Sequence, residues 1–261
     1  MKSFNFKTAT NTKEAIKLFS SRSAFLAGGM TLLPAIKLRL AAYTDLINIK
    51  KIKTLSGIKA SNKSLKIGSA TTHATVASSK EIIKSIPSLA LLAEGIGDPQ
   101  VRNRGTIGGS IANNDPAADY PSACLALNAK IHTNKRKIPA DKFFKGMFET
   151  DLKKGELIEA IEFEVPEKSS YAKFPNPASR YAIVGVYVAK LKKEVRVAIT
   201  GAANSVFRSK ELESALSTNF SSSSIDSVDI SSDGLNEDIH ASAEYRAHIT
   251  KVMAKKAVST C

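Results

Sequence analysis

Along the first fifty residues, short apolar runs alternate with single amphipathic turns. Phe4-Asn5-Phe6 begins a strand, and Asn11-Thr12 caps a helix through Glu14, Ile16, Lys17 and Phe19. Ala24-Phe25-Leu26-Ala27 reads as a buried strand running into Gly28-Gly29. Thr31 then caps a helix through Ile36 and Leu40, with Pro34 in its first turn, where a missing N–H costs nothing. Leu46-Ile47-Asn48-Ile49 closes a β-α-β-α-β pattern, which puts the glycine pair between a strand and a helix.

A second α/β stretch follows. Residues 64–69 form a strand, Thr72 caps a helix reaching Ser78, and residues 89–93 are the apolar side of another. A turn at residues 97–99 leads through Arg102-Asn103-Arg104-Gly105 into a second glycine pair. Residues 124–127 carry helix-end signals, residues 130–133 a strand, and residues 156–163 an alternating strand stopped by Pro166. From Tyr171 the texture changes. A proline-rich turn at residues 174–177 precedes apolar strands at residues 182–189 and 195–201, joined by a hairpin around Lys192-Lys193. Residues 205–216 read as a helix and residues 217–233 as a serine-rich loop. Asp238 reads as the cap of a last amphipathic helix with Tyr245, Ile249, Val252 and Met253 on one face. The pattern divides the chain near residue 168, giving a unit over 1–168, itself split at about 57/58, and a sheet-and-helix unit over 169–261.

The two glycine pairs carry the candidate chemistry. They stand in Ala27-Gly28-Gly29-Met30-Thr31-Leu32 and Thr106-Ile107-Gly108-Gly109-Ser110, and neither is a Gly-x-Gly-x-x-Gly nor ends in the Lys-Ser/Thr of a P-loop. Nicotinamide-dehydrogenase and nucleotide-hydrolase readings are therefore poor. A strand-to-helix glycine loop places backbone N–H groups and a helix dipole where they favour phosphate, so two such segments can converge on one pyrophosphate. Asp115 precedes Pro116 and reads as a turn-shaping aspartate.

Composition changes this picture only slightly. No run of 18 apolar residues occurs in the 261, and the first residues lack the apolar core of a secretory signal. Two cysteines, Cys124 and Cys261, fit a reducing cytoplasm and exclude an iron–sulfur site in this chain. The four histidines show no ligand spacing, so neither a metal site nor a catalytic residue is expected. The net charge of +14 invites a nucleic-acid alternative. The lysines are scattered, however, and do not interleave with aromatics, so they read as solvated faces that suit an acidic partner or, at most, a peripheral membrane contact.

The run Ala-Gly-Gly-x-Thr-Leu-Leu-Pro followed by Lys37-Leu38-Arg39-Leu40, the run from Gly97 to Gly109, and Asp115-Pro116-Ala117-Ala118-Asp119-Tyr120-Pro121 together closely resemble the FAD-binding medium subunit of the molybdenum hydroxylases. The aerobic carbon monoxide dehydrogenases are the nearer branch, and the FAD domain of xanthine dehydrogenase the more distant one. Tyr181-Ala182-Ile183-Val184-Gly185-Val186 and Ala243-Glu244-Tyr245-Arg246 extend the likeness nearly to the end of the chain. The resemblance implies an α+β architecture: a two-subdomain FAD-binding fold of the vanillyl-alcohol-oxidase (PCMH-type) class plus a C-terminal flavoprotein domain. It implies noncovalent FAD, with the first loop (Ala27, Gly28, Gly29, Met30, Thr31, Leu32) and the second (Thr106, Ile107, Gly108, Gly109, Ser110) around the pyrophosphate.

The resemblance further places Asp119 on the ribityl hydroxyls, Leu157 and Ile158 against the flavin ring, Lys173 near it, and Tyr181 over one of its faces. Met30 departs from the family, which usually has a polar residue there. The implied partners are a large molybdenum-cofactor subunit and a small subunit with 2Fe-2S clusters, in a dimer of heterotrimers. Electrons would leave to quinone, NAD or oxygen.

Overall fold

The computed structural model describes residues 2–261. The first unit runs β1 (Asn5–Thr8), α1 (Thr12–Leu18), β2 (Ser23–Leu26), α2 (Leu32–Lys37) and β3 (Asp45–Asn48). Its three strands are parallel in the order β1-β3-β2, with Asn5 and Ser23 both opposite Asp45. Each parallel step is bridged by a helix, as a parallel pairing demands. Ile47 and Phe25 face a small core with Ala15 and Phe19, and Leu46 and Leu26 face the other side. Asn11 accepts from the N–H of Glu14 and caps α1 as its sequence predicts. Thr31 occupies the cap position of α2, but its hydroxyl makes no capping bond, and the helix stops at Lys37 rather than Leu40. Arg39, at φ +63, ends it in a left-handed turn, with Leu40 N–H donating to Ala35 O at 2.9 Å.

The second unit begins with β4 (Ile58–Ala60) and β5 (Ser64–Gly68). Six helices follow: α3 (His73–Ser78), α4 (Lys80–Ser85), α5 (Pro87–Glu94), α6 (Pro99–Arg104), α7 (Ile107–Asn113) and α8 (Tyr120–Ala126). The chain returns through β6 (Lys130–Thr133), β7 (Lys137–Pro139), α9 (Ala140–Phe143), the hairpin β8 (Phe144–Gly146) and β9 (Glu149–Thr150), and β10 (Ile158–Glu164). The sheet is antiparallel in the order β4-β5-β10-β6-β7. Ile58, Ile67, Ile161, Ile131 and Ile138 lie in one row facing the helices, while Lys59, Lys66, Glu162 and Lys130 face outward in the next. α6 is an addition to the sequence reading: Asp98 accepts from Val101 N–H at 2.7 Å and turns the expected loop into a capped helix with Pro99 at its first position.

The third unit holds β11 (Lys168–Pro175), β12 (Ala182–Lys190), β13 (Val195–Thr200), β14 (Phe207–Arg208), α10 (Lys210–Thr218) and α11 (Ala243–Ser259), its strands antiparallel in chain order. β12 is apolar nearly throughout because both of its faces are buried. Tyr187 and Ala189 join the large core of the second unit, and Val184, Val186 and Val188 pack under α10 and α11. Three expectations fail here. Residues 205–209 are not helical, because β14 pairs with β13 and Ser209 caps α10. Ser242, not Asp238, caps α11, since Asp238 instead pairs with the buried Arg246 at 2.7 Å. Tyr245 and Val252 lie on the exposed side of that helix, whose buried side carries Ile249, Met253 and Ala257.

Candidate functional site

The first glycine loop leaves β2 and enters α2. Gly29 has φ +78, where a side chain would be strained. Gly28 lies against the end of α6, and a Cβ on it would stand 2.2 Å from Arg104 O and 2.7 Å from Gly105 Cα. The first glycine segment therefore meets the Arg104–Gly105 step that leads into the second. The N–H groups from Ala27 to Leu32 donate to no protein acceptor among the described residues. Orphan donors at a helix entrance are the arrangement that receives an anion. The Met30 side chain points partly outward and leaves its N–H in this row.

The second glycine pair is built differently. Thr106 to Ser110 is the cap and first turn of α7, not a loop, and its donors are engaged inside the chain. Ile107 N–H donates to Thr71 O at 3.1 Å, Gly108 N–H to Ser69 O at 2.8 Å, Gly109 N–H to Thr106 Oγ1 at 3.1 Å, and Ser110 N–H to Thr106 O at 3.0 Å. Gly108 is required by packing: a Cβ there would stand 2.5 Å from Ser69 Cβ and 2.6 Å from Ser69 O. The segment is packed tightly on the end of β5.

Beside the first loop lies a cleft of about 390 Å³. Phe4, Phe6, Leu26, Leu33 and Leu46 make its apolar walls, Ala27 and Gly28 its end, and Lys37, Lys50 and Arg104 its cationic rim. Apart from Ala27 and Gly28, sequence reading missed these residues, since they are scattered over five elements and the segments between them. It also set His73 aside. That ring is buried, 5.3 Å from Tyr120, with Nε2 2.6 Å from where a Cβ on Gly105 would stand. Burial, with Arg102 adding to it, pushes the His73 pKa down to about 4, so the ring is neutral packing under the glycine junction.

Of the remaining expected residues, Asp119, Lys173 and Tyr181 gather where the second and third units meet, and Leu157 and Ile158 lie elsewhere. Asp119 is 4% exposed and hydrogen-bonds Tyr171 Oη, and Lys173 Nζ lies 3.1 Å away. Lys173 also donates to Gly95 O at 2.9 Å and Arg180 O at 3.0 Å. Burial raises the Asp119 carboxyl above the ordinary range, against the pull of Lys173. Tyr181 stands close to Asp115 and Asp119, and its ring is 41% exposed. Leu157 and Ile158 are buried in different clusters, and the Leu157 backbone is closed by Asn134, which donates to its carbonyl at 3.0 Å and accepts from its N–H at 2.8 Å. Among the described residues no group of carboxylates, histidines and cysteines could hold a metal ion, and no helix is long and apolar enough to cross a membrane.

Residues 2–167 match the FAD binding domain in molybdopterin dehydrogenase. The chain belongs to that family. The medium chain of glyceraldehyde dehydrogenase from Sulfolobus acidocaldarius is 36% identical to this chain, covering 80% of it and 79% of the relative. The medium chain of carbon monoxide dehydrogenase from Hydrogenophaga pseudoflava is 32% identical, covering 98% and 96%. A solved structure of the Hydrogenophaga pseudoflava carbon monoxide dehydrogenase superimposes with a TM-score of 0.89 at 31% identity, covering 99% of this chain and 96% of that one. This FAD-binding subunit is thus an oxidoreductase component of the molybdenum hydroxylase class, on the mixed α and β fold that its sequence implied. The nucleic-acid alternative gains nothing from these likenesses.

Proposed function

We propose that this subunit holds one FAD noncovalently, takes electrons from iron–sulfur clusters of a partner subunit and passes them to an external acceptor. The observation that carries the placement is the row of unengaged N–H groups from Ala27 to Leu32 above the Gly28–Gly105 contact. These donors would hold the pyrophosphate from the first loop, with the Ser110 hydroxyl at its side and the Thr106–Gly109 turn as the support beneath. The apolar cleft beside Ala27 and Gly28 suits a flat base, and Lys37, Lys50 and Arg104 suit the charge of the phosphates. At the other end Tyr181 offers an exposed ring to cover the flavin, and the buried Asp119–Lys173 pair fixes the wall beside it. When bound, FAD supplies the redox chemistry, and this chain's residues bind it, orient it and keep water from it.

The partners in this reading are a large molybdenum-cofactor subunit and a small 2Fe-2S subunit in a dimer of heterotrimers. The acceptor is quinone, NAD or oxygen, and the setting is the cytoplasm, which suits two free cysteines. The test is reconstitution of the purified full chain with FAD. The chain should take up one equivalent and show a flavin spectrum, and the cofactor should be released intact on denaturation. Gly28→Ala forces a Cβ against the Arg104 carbonyl, which is backbone and cannot rotate away. It should weaken FAD by at least about tenfold, because displaced donors lose their aim on the phosphates. A wild-type chain that never becomes yellow would sink the proposal.

A further inference from the structure

The turn joining β11 to β12 closes on itself. Asn176 N–H donates to Tyr181 O and Arg180 N–H to Asn176 O, both at 2.8 Å. Asn176 Oδ1 accepts from Ala178 N–H at 2.9 Å and from Ser179 N–H at 3.1 Å. The Arg180 side chain is not needed to form this turn, yet Arg180 stands in it at φ +62, where glycine is free of strain and a long side chain is not. It is also exposed, so its stem fills no core. Strain of this kind persists only where the surroundings impose it, and it clusters at binding sites.

The side chain reaches out of its own turn. Its Nη1 donates to Gly97 O at 3.0 Å, between α5 and α6, and nothing else polar among the described residues engages the guanidinium. That anchor is fixed in its turn: Arg102 Nη1 donates to Ile96 O and Gly97 O, each at 3.0 Å, and Asp98 caps α6 through Val101 N–H. From the inner side Lys173 Nζ bridges Gly95 O at 2.9 Å and Arg180 O at 3.0 Å. Two cations thus tie the β11–β12 turn to alternate carbonyls of residues 95–97. The far end of α6 is the Arg104–Gly105 step against Gly28. One six-residue helix therefore carries the tie to this turn at one end and the contact with the first glycine loop at the other.

We infer, on the reading above in which Tyr181 covers the flavin, that Arg180 is a positioning residue: by tying its turn to Gly97 O it holds the neighbouring Tyr181 ring in the covering place. The backbone bonds of Tyr181 stay inside the turn, its N–H donating to Ser179 Oγ at 3.3 Å and its carbonyl accepting from Asn176. The ring therefore follows wherever the turn sits. Of the two ties, Lys173 grips a backbone carbonyl, which any residue at 180 would keep. The Arg180 guanidinium is the tie that depends on the side chain, and its permanent charge and several N–H groups suit a carbonyl at a solvent edge. Closing a flavin face against water is the task that this tie serves.

The experiment uses the full chain reconstituted with FAD. Its readout is the bimolecular constant for quenching of flavin fluorescence by iodide and by neutral acrylamide, taken from lifetimes. Arg180→Gly and Arg180→Asn both accept a left-handed φ and both lose the reach to Gly97 O. Each should keep the wild-type melting temperature and take up one equivalent of FAD. Their quenching constants should rise about fivefold, the shift in population that loss of one hydrogen bond permits. Arg180→Lys keeps a cation of similar reach and should stay near wild type. Losing a positive charge would by itself lower the iodide concentration nearby, so a rise with both quenchers reports access and not charge. Tyr181→Ala should raise quenching at least as far, and Arg180→Gly added to it should change nothing more, because the arginine acts through the tyrosine. Wild-type quenching in Arg180→Gly and Arg180→Asn overturns the inference, as does a further rise when Arg180→Gly is added to Tyr181→Ala. A wild-type chain that never takes up FAD would instead overturn the proposed function, so the two failures are separable.

Discussion

Glu156 shows how one carboxylate can tie the start of a central strand to its neighbours. Its side chain is fully buried just before β10 and accepts from Thr133 Oγ1 at 2.7 Å, Lys153 N–H at 2.8 Å, and Arg136 Nε and Nη2 at 3.0 and 3.1 Å. Burial alone would push the carboxyl up. The hydrogen bonds, led by Arg136, outweigh it and hold the group down at about 2, against an ordinary 4.5. A carboxyl depressed on folding stabilises above its unfolded pKa, and that contribution disappears as pH falls toward the folded one. Urea titrations should therefore show up to about 3 kcal/mol of stability lost between about pH 5 and about pH 2. Glu156→Gln should be less stable at neutral pH and should flatten the dependence over that window; an unchanged acid limb would refute the assignment. In the sequence Glu156 was one letter of an alternating strand. Its partners lie up to 23 residues away, so nothing local announced it.

At the scale of elements, the two glycine pairs look alike in sequence and differ in structure for a reason that sequence hides. The strand–Gly-Gly–helix order of the first is a local pattern, and it survives intact. The second became helix because Ser69 and Thr71, some forty residues earlier, accept its N–H groups and leave no room for a Cβ at Gly108. Turn propensity of glycine is a local argument, and close packing against a distant strand end overrides it. The misplaced α11 cap has the same origin: Asp238 had the right chemistry, and a buried Arg246 claimed it. Thr106 and Gly108 consequently have separable roles. Thr106→Ala removes the cap of α7 and should cost about 1 kcal/mol, with Thr106→Ser close to wild type. Gly108→Ala pushes Ser69 backbone and should cost about 2–3 kcal/mol or displace the first loop, seen as a lower melting temperature together with weaker FAD. A silent Gly108→Ala would show that this turn is not tightly packed on Ser69.

At the scale of the whole molecule, the division near residue 168 that the changing texture suggested cuts through a continuous core. Tyr187, Ala189 and Ala198 of the third unit share one cluster with Leu89, Ile107 and Tyr120 of the second. One polar stitch across that junction is Asp119–Lys173, with side chains 5% and 11% exposed; Arg196–Asp141 and the Thr200 bonds to Pro116 O and Ala118 O are others. Lys173→Met would leave a buried carboxylate held only by Tyr171, and breaking such a pair costs about 3 kcal/mol. The sign of its pH dependence follows from burial, which already raises the Asp119 carboxyl and would raise it further without the cation. An acid whose pKa is raised on folding is most favourable below its unfolded value, and that advantage is lost as pH rises through the folded one. The deficit of Lys173→Met should therefore be full near about pH 7.5 and shrink toward about pH 4. Asp119→Asn combined with Lys173→Met should cost clearly less than the sum of the single changes, because neither charge is then left alone. Urea denaturation of the four proteins at both pH values gives the cycle. Additive costs with no pH dependence would mean that the Asp119–Lys173 pair contributes nothing to holding the junction.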